Sequence, residues 1–221
     1  VSGSLTSTGS FGTLKLVKYN QGVGGQANTN FGMQAGESLT TGNHNVLIGN
    51  QAGDSMTDAD ENVVVGDGAG QTSTGVHYAV ILGRGAAQNG NITTAANGVV
   101  AIGYTALEAL TSGIGNTAVG FEALDVEDDG DFNTAIGYQA LTDQTGTSGT
   151  VGNTAVGYRA GDDITTGKQN VFIGAFAADA AQDVDSAVAI GYAAMSGGNV
   201  TSDADGTIAI GDIALTALTS G

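Results

Sequence analysis

The chain repeats one short phrase of apolar and polar positions eleven times. Aligned on a glycine, the anchors are Gly32, Gly49, Gly66, Gly83, Gly103, Gly120, Gly137, Gly157, Gly174, Gly191 and Gly211. Repetition on this scale outranks local propensity, because it signals one structural unit stacked on copies of itself. Three positions before the anchor every residue is β-branched, from Thr29 and Val46 to Val188 and Ile208. One position before it every residue is apolar, from Phe31 through Ile102 and Ile136 to Ile210. These columns lie two residues apart and so share one face of a strand. The column between them is mostly alanine (Ala101, Ala118, Ala135, Ala155, Ala189, Ala209), a smaller second face. β-branched residues suit a pleated surface, and the pattern predicts a five-residue strand in each repeat.

The rest of the phrase reads as turns. A glycine held at one position suggests either a positive φ or a place where a side chain would strike the next unit. The alanine three residues later, present in all eleven copies from Ala35 to Ala214, suggests a tight inner corner. Polar turns follow, as in Leu39-Thr-Thr-Gly42 and Ile164-Thr-Thr-Gly167. Four before the anchor, Asn28, Asn45, Asn62, Asn116, Asn133, Asn153 and Asn170 share a column. Stacked amides form hydrogen-bonded ladders, and a structural ladder is the expectation here rather than a ligand site.

Spacings between anchors run 17, 17, 17, 20, 17, 17, 20, 17, 17, 20, a 54-residue super-repeat from Gly49 onward. The added residues fall in polar loops near Gly90–Gly98, Thr145–Gly152 and Gly197–Gly206. Two geometries fit: each repeat is one coil of a solenoid, or three repeats surround an axis as one layer of a three-sided prism. The expected fold is therefore all-β, a parallel β-solenoid (β-roll or β-helix) of eleven 17/20-residue repeats. Residues 27–221 form the solenoid, and 1–26 form an N-terminal strand (Phe11–Tyr19) with a Gly/Ser-rich entry segment.

Such coils touch only their neighbours. The side chains expected to pack inward, Ala, Val, Thr and Ile, are small. Burying one Val or Ile is worth about 1.5–3 kcal/mol, against about 1–2 kcal/mol to order each backbone residue. A coil with two or three such residues gains from packing its apolar face on further copies, which predicts a homotrimer around a threefold axis.

Composition narrows the classes. Glycine supplies 38 of 221 residues, while Pro, Cys and Trp are absent. Missing Pro and missing every-third-residue Gly exclude collagen, and missing Cys excludes disulfide and thiolate-zinc frameworks. With 22 Asp+Glu against 5 Lys+Arg, the net charge is −17, which repels a phosphate backbone, so no nucleic-acid partner is expected. No apolar run approaches the roughly 20 residues a membrane span needs, so membrane insertion is not expected. Leu215-Thr-Ala-Leu-Thr-Ser-Gly221 echoes Leu107-Glu-Ala-Leu-Thr-Ser-Gly113, after which another repeat begins; the chain reads as part of a longer protein.

Candidate chemistry is sparse. Acidic loops occur at Asp58-Ala-Asp-Glu61, Asp125-Val-Glu-Asp-Asp-Gly-Asp131, Asp162-Asp163 and Asp203-Ala-Asp-Gly206. Clustered carboxylates suit hard cations, but Ile136 stands where an EF-hand needs its bidentate Glu, and the calcium-roll repeat is absent. Solvated loops that keep fibres apart are the expectation. Tyr104, Phe121, Tyr138, Tyr158 and Tyr192 follow their anchors; an exposed row could stack on sugars, and an aromatic ladder shielding the sheet is the favoured reading. His44 and His77 have no partner that spacing nominates. Gly83-Arg-Gly-Ala-Ala-Gln-Asn lacks the third glycine of the dinucleotide fingerprint, and no nucleophile-elbow motif occurs. No catalytic, cofactor-binding or metal-binding residue is assigned, no cofactor is expected, and the chain is read as not an enzyme.

Asn116-Thr-Ala-Val-Gly-Phe-Glu-Ala-Leu124, Asn133-Thr-Ala-Ile-Gly-Tyr-Gln-Ala-Leu141 and Asn153-Thr-Ala-Val-Gly-Tyr-Arg-Ala-Gly161 resemble the repeat of phage tail-fibre-like proteins. Ala187-Val-Ala-Ile-Gly191 is similar to the head repeats of trimeric autotransporter adhesins, although the 17/20 spacing here is longer than theirs. The resemblance implies a parallel β-roll, a trimer and surface attachment, and carries over no catalytic residue. The expected function is a structural segment of a virion (tail) fibre that attaches to a host surface, through a cell-surface glycan or protein receptor. The alternative is a bacterial surface adhesin or extracellular filament of the same architecture. Either places the chain on a virion surface or outside the cell.

Overall fold

The computed structural model describes residues 27–93, 96–145, 148–197 and 200–217. The expected strand at Phe11–Tyr19 and the entry segment lie outside the described residues. The chain winds as a parallel β-solenoid, one coil per repeat. Each coil contributes a three-residue strand to one sheet: β1 (Thr29–Phe31), β2 (Val46–Ile48), β3 (Val63–Val65), β4 (Val80–Leu82), β5 (Val100–Ile102) and β6 (Thr117–Val119). After the two-residue β7 (Gly130–Asp131) come β8 (Thr134–Ile136), the two-residue β9 (Gly149–Thr150), β10 (Thr154–Val156), β11 (Val171–Ile173), β12 (Val188–Ile190) and β13 (Ile208–Ile210).

Strand order decides between the two geometries. The eleven-stranded sheet runs β1-β2-β3-β4-β5-β6-β8-β10-β11-β12-β13, so each repeat pairs with the next in sequence. Pairing is parallel and column-matched, Thr117 opposite Thr134 and Val119 opposite Ile136. One repeat is one coil, and the 54-residue period marks every third coil with a wider loop. At ~4.8 Å per strand the sheet is about 50 Å long. The wide coil after Gly137 also allows β9 to pair with β7 as a separate two-stranded sheet.

The strands are shorter than the five residues the alternation predicts. At their end stands the anchor glycine, whose φ lies between 129° and 150° in all eleven coils, outside the β region of an L-residue. At their start the residue five before each anchor is left-handed, as at His44 (φ 56°) and Glu61 (φ 59°). Both expectations for the anchor column hold together. A β-carbon on Gly137 would stand 2.1 Å from the carbonyl oxygen of Gly157 in the next coil.

Only the middle strand column faces the core. Leu47, Val64, Ile81, Ala118, Ala135, Ala155 and Phe172 are fully buried, whereas the β-branched and apolar columns beside them point outward. This corrects the expectation that Val, Thr and Ile of those columns pack inward. The missing core volume comes from the far side of the coil: the corner alanines, Leu107, Leu124 and Leu141 four after their anchors, and Leu39, Met56, Leu110 and Ile164 seven after theirs. In most coils the two sides compensate in size; in the coil of Gly157 both Ala155 and Gly161 are small. Coils with Ala101, Ala118 or Ala135 in the strand carry Leu107, Leu124 or Leu141 opposite; coils with Leu47 or Val64 carry Gly53 or Gly70.

Candidate functional site

The asparagine column is a continuous hydrogen-bonded ladder within its runs. Asn45 N–H donates to Asn28 Oδ1 (2.8 Å), Asn62 N–H to Asn45 Oδ1 (3.0 Å) and Ala79 N–H to Asn62 Oδ1 (2.8 Å). A second run links Asn116, Asn133, Asn153 and Asn170 to Ala187 in the same way. The amide nitrogen bonds across the coil, Asn45 Nδ2 to Ala59 O at 2.6 Å and Asn170 Nδ2 to Val184 O at 2.6 Å. These side chains are buried, and each bond contributes about 1 kcal/mol net. Their chemistry is spent on the fold.

A second ladder was not foreseen. Two positions earlier, a side chain accepts the N–H of the preceding coil: Asp60 Oδ1 from Asn43 (2.6 Å), His77 Nδ1 from Asp60 (3.1 Å), and Asn97 Oδ1 from His77 (3.1 Å). Asp131, Asp185 and Asp205 accept from Ile114, Lys168 and Asp185. Part of the acidic composition is therefore structural, and His77 has a partner after all. The signal available in the sequence was the recurrence of Asp, Asn and His six before the anchor.

Eight further acids, among them Glu108, Asp125, Asp143 and Asp162, stand at the corner five or six after the anchor. Burial, then Glu122, Glu108 and Asp143, push the Asp125 carboxyl up to about 6. Asp143 is likewise raised, by burial and then by Asp162 and Asp163. One partial relief is Arg159, whose Nε donates to Asp162 Oδ2 at 2.7 Å. In the Asp125–Asp131 loop, one ligand atom each of Glu127, Asp128 and Asp129 lies within 4.8 Å of the others. Glu127, however, is turned into the core with its oxygens engaged by Gly130 N–H (2.7 Å), Asp129 N–H (3.2 Å) and Asn133 Nδ2 (3.4 Å). The loop is arranged to hold a turn rather than to present three free carboxylates.

The aromatic row is a ladder. Tyr104, Phe121, Tyr138 and Tyr158 stack with centroids 5.1, 4.9 and 5.4 Å apart. Phe176, two after its anchor rather than one, meets Tyr158 edge-on at 5.0 Å and Tyr192 at 6.0 Å. The Arg84 guanidinium covers the other end, 5.6 Å from the Tyr104 ring. Stacked rings show their edges outward and cover one another's faces, so this row is built for cohesion and offers little face to a sugar.

What stays unpartnered is the outward face of the sheet. Its two columns run the length of the solenoid and contain only Thr, Val, Ile, Leu and Phe. Ile136 and Ile173 are 40% and 39% exposed in mid-stack, between neighbours above and below. No ionisable residue interrupts the columns, although the chain carries −17. Among the described residues no helix is long and apolar enough to cross a membrane. Comparison with known protein families, curated proteins and solved structures returns no significant match.

Proposed function

We propose that the chain is a shaft segment of an attachment fibre, a virion tail fibre that binds a host surface, with three copies sharing one long axis. The uncharged sheet face supports this reading most. Copies of a strongly acidic chain repel one another; on this face they meet without opposing carboxylates. Threefold closure would set the β-branched column of one copy against the apolar column of the next, a heterologous contact that closes into a ring. Outward loops, which vary between coils, would then face a glycan or protein receptor, while the ladders keep the shaft straight.

The test is immunogold electron microscopy with antibodies raised against the 221-residue chain, applied to virus-enriched and cell fractions of its source. Gold on filaments projecting from particles is the expected result. Label on the cell envelope with bare particles would overturn the virion reading in favour of a surface adhesin.

A further inference from the structure

Five residues before each anchor the chain turns into the strand through a left-handed residue, and successive coils stack these residues in one column. Tyr78, Gly98, Gly115 and Phe132 are consecutive members. They are tied by Gly98 N–H to His77 O (3.1 Å), Gly115 N–H to Asn97 O (3.1 Å) and Phe132 N–H to Ile114 O (2.8 Å). Their φ values are 59°, 73°, 65° and 63°. Glycine adopts such values freely, a bulky aromatic residue only at a cost. Tyr78 and Phe132 are nevertheless 60% and 53% exposed, so burial in the core does not offset that cost.

Other departures from the repeat meet at this corner. A β-carbon on Gly98 would meet nothing within 4 Å, whereas one on Gly115 would stand 3.0 Å from the Phe132 ring. The ring thus leans over Gly115 in the preceding coil and leaves Gly98 open. The neighbouring column of hydrogen-bond acceptors, Asp60, His77, Asn97 and Asp131, is interrupted by Ile114, which is 42% exposed. Neither ring joins the aromatic ladder; among the described residues Tyr78 meets only the His77 ring, at 6.2 Å. At ~4.8 Å per coil the two aromatic positions are about 14 Å apart, and the lean of Phe132 narrows the notch over Gly98 to about 10 Å.

We propose that this notch binds a neutral hexose unit of a surface glycan. A pyranose ring has a face of C–H groups, which packs on the negative face of an aromatic ring, and a rim of hydroxyls that needs hydrogen-bond partners. Phe132, Ile114 and Tyr78 supply the apolar walls, and the glycine floor leaves room between them. His77 Nδ1 accepts the N–H of Asp60, so Nε2 carries the proton and can donate to a hydroxyl. Asn97, whose Oδ1 accepts the His77 N–H, keeps Nδ2 for the same use. Charge selects neutral sugars: Asp60 lies 3.5 Å from His77 and Asp131 precedes Phe132, so a sugar carboxylate would meet its own sign. The inference names the receptor class of the fibre reading and rests on that reading for its biological setting.

The test presents the whole chain to an array of neutral and acidic oligosaccharides of glucose, galactose, mannose and N-acetylhexosamines, then titrates the best neutral binder. Binding of a neutral oligosaccharide in preference to its uronic-acid counterpart is expected. Phe132→Gly removes a wall and Gly98→Asn fills the notch, and both residues suit the left-handed backbone. Each should raise Kd about tenfold or more with circular dichroism unchanged, while Tyr138→Ala in the ladder leaves Kd as it was. No binding to any neutral sugar overturns the inference, as does binding that Phe132→Gly leaves intact. A fall in solution mass on Phe132→Gly would assign the notch to a second copy of the chain and overturn it too. Label on a virion or on an envelope moves none of these outcomes, so the two readings fail separately.

Discussion

Phe172 occupies the space that Gly161 leaves open: a β-carbon on Gly161 would lie 2.7 Å from the Phe172 ring, and one coil's bulk fills the next coil's gap. The Phe172 ring is fully buried in a column where alanine is the rule. Phe172→Ala should leave a cavity that short coils cannot collapse around, costing about 3–5 kcal/mol. Urea unfolding followed by circular dichroism measures it. A loss below about 1 kcal/mol would mean the two sides of the coil are not volume-matched.

The anchor column should be far less tolerant than the loops. Gly137→Val forces a β-branched residue to φ 147° and against the Gly157 carbonyl, which should cost about 3 kcal/mol or more. Asp129→Asn, at a half-buried loop position away from the strand stack, should change stability by no more than about 0.5 kcal/mol. Comparable denaturation midpoints for the two variants would contradict the role given to the anchor.

The asparagine ladder predicts a penalty that volume does not explain. Asn45→Leu keeps the size but leaves Asn62 N–H and Ala59 O without their partners. Orphaning two buried groups should cost about 2–5 kcal/mol. The amide of Asn62 should also lose protection from exchange. A stable Leu variant with Asn62 still protected would show that the ladder is incidental.

Acid crowding gives the stability a pH slope of defined sign. The folded Asp125 carboxyl sits at about 6 against an ordinary value of 3.8. Between those values the folded chain binds the proton and the unfolded chain does not, so stability falls as pH rises through that window and levels off above it. Glu127 extends the fall to about 7. Melting temperature measured from pH 4 to 8 should therefore decline towards neutrality. Asp125→Asn should flatten mainly the part below pH 6, and an unchanged profile in that variant would refute the assignment.

How much of this was legible in the sequence differs by column. Columns with one residue type spoke clearly: the anchor glycine, the corner alanine, the asparagine ladder and the aromatic row all sit where the repeat puts them. Handedness at the other turns was hidden. Gln34, Glu122, Arg159 and Phe176 are left-handed with φ between 52° and 58°, and such side chains give no local signal for it. Only Gly68 and Gly85 in the same column hint that the backbone there favours positive φ. The direction of the strand faces was ambiguous for a similar reason, since Ala and Val can each face a core. It was decided by Leu, Met and Ile from the opposite side, which leave room inside only for the middle column. Glu127 could be found by noting the one acid in a column that otherwise holds Leu, Met, Ile, Ala, Gly, Ser and Gln. The choice between coil and layer needed the pairing of Thr117 with Thr134, which no composition reveals.

The unpartnered sheet face is the centre of the account, and the solution mass of the 221-residue chain by light scattering tests it most directly. Assembly on that face predicts a particle near three times 21.6 kDa, reduced to one by Ile136→Lys with circular dichroism unchanged. A folded monomer of 21.6 kDa at working concentrations, with the apolar face open to water, would contradict it.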